Sequence, residues 1–300
     1  MPLSKARGHS FTRWQAHASR LKSAIDANAW DGNWFIRAFD DDGEPWGSQQ
    51  NEACQIDSIS QSWGVLAGFA DDSRVQQAMA SARQHLLVDG AGLVPLLTPP
   101  FHALTRDPGY IQAYPPGVRE NGGQYNHAVA WLGLACCGLG DGDTAWQLFD
   151  RMNPINRTNN PGGAAHYGRE PYVLAGDIAT EGQQRGHGGW SWYTGSASWA
   201  WQLGIEGLLG LRLRADGLQI RPCLPKDWET VSVRFERDES GILLLTINNP
   251  DRVGQGAVDL LCDGQALSGD LVKFPGLGEI SRIEVNIRAA STDKLTSTNA

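Results

Sequence analysis

All twelve tryptophans of this 300-residue chain lie at or before Trp228, and none follows. The apolar spacing changes near the same place. Before about residue 216 apolar residues recur three and four apart, as in Trp14, Ala18, Leu21 and Ile25, the period of a helix with one buried face. After it they fall into short runs separated by Gly, Pro, Asp and Asn, the pattern of sheet strands. Such a chain is constrained to helices first and a sheet domain afterwards: mainly α with a C-terminal β domain.

Helices are expected over 10–29 (with Ser10 as cap), 56–69, 73–87, 124–139, 144–152, 171–178 and 196–211. Residues 30–46 read as an aromatic β-hairpin turned by Asp40-Asp-Asp-Gly43. The connections at 90–123 and 153–170 are rich in Gly, Pro and Asn, and loops of that length inside a compact domain are usually functional. Strands are expected over 218–220, 230–237, 242–248, 257–262 and 280–287, at the spacing of a β-sandwich. The boundaries that follow are a helical domain over 1–216, a β-sandwich domain over 217–288 and a small, polar, disordered tail over 289–300.

Composition removes several classes of function. Hydrophobic residues at 41% and charged residues at 19% fit a globular chain. A net charge of −8 without a Lys/Arg cluster argues against a nucleic-acid partner. Cys54, Cys136, Cys137, Cys223 and Cys262 are odd in number and lack CxxC spacing. They read as thiols in a reducing, cytoplasmic setting rather than as metal ligands. The N-terminal residues carry no apolar signal region, and no stretch approaches the roughly 18–20 apolar residues of a membrane span.

Two segments concentrate chemistry. Tyr114-Pro-Pro-Gly-Val-Arg-Glu-Asn-Gly-Gly-Gln-Tyr-Asn-His127 and Gly186-His-Gly-Gly-Trp-Ser-Trp-Tyr-Thr-Gly-Ser196 each combine glycines, directed polar groups and aromatic rings. Glycine lets backbone approach a ligand, rings stack on flat apolar faces, and Arg, Glu, Asn, Gln and His supply directed hydrogen bonds. That mixture suits a sugar, with its apolar face and rim of hydroxyls. Each segment alone equally suits a turn-rich loop capping a helix.

Further blocks carry a resemblance. Trp30-Asp-Gly-Asn-Trp-Phe-Ile-Arg37, Gly47-Ser-Gln-Gln-Asn-Glu52, the 114–127 segment, Arg169-Glu-Pro-Tyr-Val173, Trp192-Tyr-Thr-Gly-Ser196 and Ile220-Arg-Pro-Cys-Leu-Pro-Lys-Asp-Trp228 follow in the order seen in the glycoside hydrolase family 94 phosphorylases. Leu97-Thr-Pro-Pro-Phe101, Asp107-Pro-Gly-Tyr110 and Asn153-Pro-Ile-Asn156 are most similar to the C-terminal phosphorylase-type domain of cyclic β-1,2-glucan synthases. The resemblance implies an (α/α)6 toroid followed by a β-sandwich. A toroid of six helix pairs needs more helices than are expected here, so the chain reads as its second half, a C-terminal fragment. Helices 10–29 and 196–211 would then border the open seams and bare Trp14, Leu21, Ile25, Ile205, Leu208 and Leu209.

The resemblance also implies roles. Phosphate, a co-substrate, attacks the glycosidic bond in place of water, so the protein needs one general acid and donors for an oxyanion. His127, Thr194 and Gly195 match the family's phosphate-holding positions. Arg119, Glu120 and Asn121 match its sugar-binding residues, with Gln124, Tyr125 and Glu170 beside them and Trp190, Trp192 and Tyr193 as stacking rings. Without the resemblance, Arg119 and Glu120 suit a surface ion pair, His127 a helix start, Thr194 an N-cap and the rings a helical core, the reading preferred for Trp199 and Trp201. The family's acid lies in an Asp-Trp-Asn-Asp-like segment with no counterpart here, so no catalytic residue is assigned. The expectation is a fragment of a β-glucan phosphorylase or glucan synthase, inactive without its missing N-terminal half and needing no cofactor or metal. The alternative is a non-catalytic carbohydrate-binding protein.

Overall fold

The computed structural model describes residues 6–8, 10–87, 92–102, 106–192 and 194–289. Tyr193 and the tail beyond 289 lie outside them. The described residues divide into two compact units, one from 1–129 and 157–193, the other from 130–156 and 194–300.

In the first unit, α1 (Thr12–Asn28) buries no residue, and Trp14 and Leu21 are 58% and 51% exposed. Ser10 does not cap it; Phe11 stands at the N-cap without a side-chain hydrogen bond. The expected hairpin forms from β1 (Ala38–Phe39) and β2 (Pro45–Trp46), closed by Asp40 N donating to Glu44 O at 3.0 Å. β3 (Ile56–Asp57) leads directly into α2 (Ser58–Leu66) and pairs with β4 (Leu97–Thr98), which comes after the next helix. Asp57 caps α2 by accepting from Ile59 N at 2.8 Å and is ion-paired with Arg37 in the interior. In α3 (Asp72–Leu86) the buried residues Val75, Ala78, Met79, Ala82 and Leu86 follow the helical stripe read from the sequence.

Residues 171–178 form no helix. Their backbone is drawn into a ribbon: β6 (Asp177–Ile178) pairs with β5 (Gln124–Tyr125) on one side. On the other, Gly176 N donates to Trp190 O at 2.6 Å and Ala179 N to His187 O at 3.0 Å. Those bonds draw the backbone from Gly176 onward away from an i→i−4 ladder. Conversely, the connection 153–170 holds two helices, α6 (Pro154–Arg157) and α7 (Pro161–Tyr167). Asn160 caps α7 through Gly163 N at 2.9 Å, Pro161 sits at its start, and Gly168 ends it at φ 65°.

α4 (Asn126–Gly138) and α5 (Gly142–Met152) match the expected helices within two residues. The expected helix at 196–211 is α8 (Ser196–Gln202) continued by a π-helical stretch, Leu203–Leu208. It stops where β7 (Leu211–Arg214) opens a hairpin with β8 (Gly217–Ile220). β13 (Leu271–Val272) completes a three-stranded sheet. β9 (Thr230–Glu236), β10 (Ile242–Asn248), β11 (Ala257–Cys262), β12 (Gln265–Leu267) and β14 (Ile280–Arg288) form a five-stranded sheet in the order β12-β11-β14-β10-β9. Only β10 and β14 in it run parallel.

Alternate residues of the long strands, Leu243, Leu245 and Ile247 on β10 and Ile283, Val285 and Ile287 on β14, join Leu211, Leu218, Ile220 and Val272 in one core. Each such side chain contributes about 1.5–3 kcal/mol on burial. Leu208 is 2% exposed, and Ile205 and Leu209 pack against this core. These three are therefore not bared at a seam. They sit where the helix meets the sheets that shield them. Among the described residues no helix is long and apolar enough to cross a membrane, and all five cysteines are free thiols, four of them buried.

Candidate functional site

The 117–123 turn is self-braced: Gly117 N donates to Asn121 O at 2.8 Å and Asn121 N to Val118 O at 3.0 Å. A Cβ on Gly117 (φ 78°) would lie 2.6 Å from Glu181 N, so a larger residue does not fit. Arg119 inside the turn holds a left-handed φ of 52°, uncommon for a residue with a side chain. Asn121 and Gln124, expected to touch sugar, are fully buried. Asn121 Oδ1 accepts from Phe101 N at 2.6 Å, and its Nδ2 donates to Phe101 O at 2.9 Å and Tyr114 O at 2.8 Å. Gln124 Oε1 accepts from Val94 N at 3.0 Å, and Nε2 donates to Asn126 Oδ1 at 3.0 Å. Both amides are committed to unpaired backbone and neighbouring side chains inside the scaffold, which moves them off the surface a ligand would meet.

The extended segment 186–190, bridged to β6 at Gly188 and Ile178, brings Trp190 to the same turn. The Arg119 guanidinium carbon is 5.2 Å from the Tyr114 ring centre and 5.5 Å from that of Trp190, within cation–π range of both. Glu120 Oε2 lies 3.7 Å from Arg119 Nε. Tyr125 stacks on His127 with ring centres 5.5 Å apart, and burial, reinforced by Glu120, pushes its phenol upward. Trp190 is 53% exposed. It borders an open depression of about 560 Å³ lined also by Gly168, Arg169, Glu170, Gly189 and Ser191. Trp192, at φ 65°, is more exposed and donates its indole N–H to Glu170 Oε1 at 3.0 Å. That bond holds the Glu170 carboxyl below its usual range.

Asp177, on β6, was not singled out from the sequence, where one Asp between Gly and Ile carries no signal. It is 3% exposed, and its carboxylate accepts from Arg119 N at 3.3 Å and Trp190 N at 3.4 Å. Burial raises its pKa.

His127 is half-buried at the start of α4, and burial lowers its pKa, which favours the neutral ring. Thr194 Oγ1 accepts from Ser196 N at 3.1 Å and donates to Ser196 Oγ at 2.8 Å, one residue ahead of Gly195, which holds the N-cap position of α8 without a side-chain cap. Thr194 and Gly195 belong to the second unit and His127 to the first. Trp199 packs edge-on to Trp131 at 5.5 Å, whereas Trp201, expected in the core, is 58% exposed because its side of α8 faces solvent. Among the described residues no group of three or more His, Cys, Asp or Glu is placed to hold a metal ion.

Exposed indoles, a stacked arginine and carboxylates on glycine-braced loops are the groups a polyhydroxylated ring would meet, and comparison with known proteins agrees with a carbohydrate-active class. Residues 1–210 match the Glycosyl hydrolase 94 superfamily catalytic domain, and the chain belongs to that superfamily. It is 42% identical over 263 residues to the cyclic beta-(1,2)-glucan synthase NdvB of Rhizobium meliloti (strain 1021), covering 83% of this chain and 9% of that protein. It is 32% identical over 272 residues to the solabiose phosphorylase of Paenibacillus borealis, covering 90% of this chain and 34% of the relative. With the N,N'-diacetylchitobiose phosphorylase of Vibrio proteolyticus the identity is 28% over 256 residues, covering 84% of this chain and 31% of the relative. The chain thus spans about a third or less of the length of these relatives.

Proposed function

We propose that this chain carries the sugar-binding and phosphate-holding parts of a glycoside phosphorolysis site for β-linked glucans or glucosides, with inorganic phosphate as co-substrate. The observation that carries this reading is the meeting of the two glycine- and aromatic-rich segments at Arg119, stacked between Tyr114 and Trp190 beside Glu120. Arg119 and Glu120 would hydrogen-bond sugar hydroxyls, and Trp190 and Trp192, with Tyr193 outside the described residues, would stack on pyranose faces. Glu170, held by Trp192, would set the edge of that subsite.

For phosphate, His127 in its neutral form offers an N–H donor and Gly195 its backbone N–H, and the Thr194 hydroxyl would add a third by turning its O–H away from Ser196 Oγ. In this architecture residues 1–216, apart from β7, are the second half of an (α/α)6 toroid, and 217–288 with β7 form its β-sandwich. Phosphate oxygen would attack the anomeric carbon as the bond to the leaving sugar oxygen breaks, and that oxygen must receive a proton. No carboxylate of this chain is assigned as the donor, so the chain alone is expected to be inactive.

The test is release of glucose 1-phosphate from sophorose, longer β-1,2-glucans or cellobiose in the presence of phosphate. The expected outcome is no release by the chain alone, with sophorose binding retained. General acid catalysis is typically worth about 10²–10⁴-fold. Clear turnover that vanishes when one of the chain's own carboxylates is replaced would overturn the assignment. A second reading, a carbohydrate-binding protein without catalysis, is favoured by the same lack of an assigned acid. Restoration of release by an added segment carrying an acid would exclude it.

A further inference from the structure

Asp177 sits where three segments cross. Its backbone pairs with Tyr125 of β5, its carbonyl accepts from Gly189 N at 2.8 Å, and its carboxylate reaches Arg119 N and Trp190 N. Among the described residues no side chain donates to that carboxylate. Two long bonds from neutral amides, at 3.3 and 3.4 Å, are poor compensation for removing a carboxylate from water. A Cβ on Gly189 would lie 2.2 Å from Asp177 Oδ1, so the neighbouring backbone approaches the carboxyl as closely as a glycine allows. The two amides it grips belong to the residues whose side chains form the stacked pair, Arg119 in its left-handed turn and Trp190 on the facing segment.

We infer that Asp177 is a positioning residue of the candidate sugar site, holding the Arg119 turn against the Trp190 segment so that guanidinium and indole present one fixed surface to a β-linked glucoside. This rests on the sugar-site reading above. The carboxylate is needed because it accepts on both oxygens. An amide in its place accepts on one and presents N–H groups to the other backbone donor, so the grip on either the Arg119 or the Trp190 amide is lost while the remaining backbone bonds persist.

The experiment compares the 300-residue chain with Asp177→Asn, titrating sophorose by calorimetry and tryptophan fluorescence and recording thermal melts at neutral pH. The expected split is a loss of sophorose affinity of about ten-fold or more, the scale of an ångström-level misplacement, with a melting temperature equal to or above the parent's. A merely structural role would lower the melt and leave the affinity of the folded fraction unchanged. Parent and variant binding sophorose within about two-fold of each other would overturn the inference and leave the sugar site standing. A parent chain that binds neither sophorose nor cellobiose would sink the sugar site itself, and the inference with it. Where the variant melts below the parent, the parent chain decides alone. Sophorose should slow hydrogen exchange at the Arg119 and Trp190 backbone amides, and bound sophorose that leaves both unchanged overturns the proposal.

Discussion

At the residue scale, charge burial and hydrogen-bond commitment separate the polar groups around the site into two kinds. Asn121 and Gln124 are fully buried with their amides bonded to the chain, so they hold the loops in place. Arg119, Glu120, Tyr125 and Trp190 keep part of their surface exposed to solvent. Asp177 belongs with the buried group yet carries a titratable carboxyl, which allows a signed prediction. Burial raises its pKa in the folded chain, whereas in the unfolded chain it ionises near the ordinary value of about 3.9. Between those two values the unfolded chain has released a proton that the folded chain retains. The contribution to stability is therefore fully present below the ordinary carboxylate range and is lost as pH rises through the raised value. Asp177→Asn lacks this dependence. The melting temperature of the variant minus that of the parent should grow from acid to neutral pH, and a difference independent of pH would show that the carboxyl is not shifted.

At the element scale, α7 and the extended segment 186–190 are one mechanical part. Gly188 N donates to Tyr167 O at 2.9 Å, Arg169 Nε to Gly189 O at 2.6 Å, and the His187 ring is within 3.0 Å of His166 O. Gly168 ends the helix at φ 65°, where an added Cβ would lie 2.4 Å from the His187 ring. Gly168→Ala should cost at least about 1–2 kcal/mol from the left-handed backbone alone, plus the displacement of His187. Asn160→Ala at the other end should cost only about 1 kcal/mol, as a lost cap. Chemical denaturation of the two variants checks the order. Gly168→Ala should also shift the Trp190 fluorescence, because the displaced ring pulls on the segment that carries that indole. This helix escaped notice in the sequence because its two glycines, Gly162 and Gly163, made a capped helix start read as loop.

At the scale of the whole molecule, each unit has apolar clusters of its own among the described residues. The β region holds twelve buried residues in one cluster. The first unit has the Trp46–Cys54–Leu97–Phe101 cluster and the smaller group around Tyr167. α1 adds no buried residue to either. Its described ties include the ion pair from Arg74 to Asp26 at 3.7 Å. Trp14 and Leu21 are thus apolar surface facing water, a cause of association when contiguous. Concentration-dependent self-association should be seen by size-exclusion chromatography, and Trp14→Ser with Leu21→Ser should reduce it without lowering the melting temperature. A drop in melting temperature in that variant would mean that α1 is packed in solution.

What the sequence by itself determined is whatever depends on local periodicity and caps. The helix–strand order, the stripe of α3, the Asp40–Gly43 turn and the long alternating strands β10 and β14 are all visible there, because spacing of 3.6 or 2 dictates which face is apolar. The superfamily was visible too, through blocks of residues spread along the chain. Only the tertiary structure decided the contents of the site. Whether Asn121 faces a ligand or Phe101, whether 171–178 coils or joins a ribbon, and whether one Asp at 177 holds two loops together all depend on which distant backbone donors arrive beside them. Donors separated by dozens of residues leave no mark on local spacing.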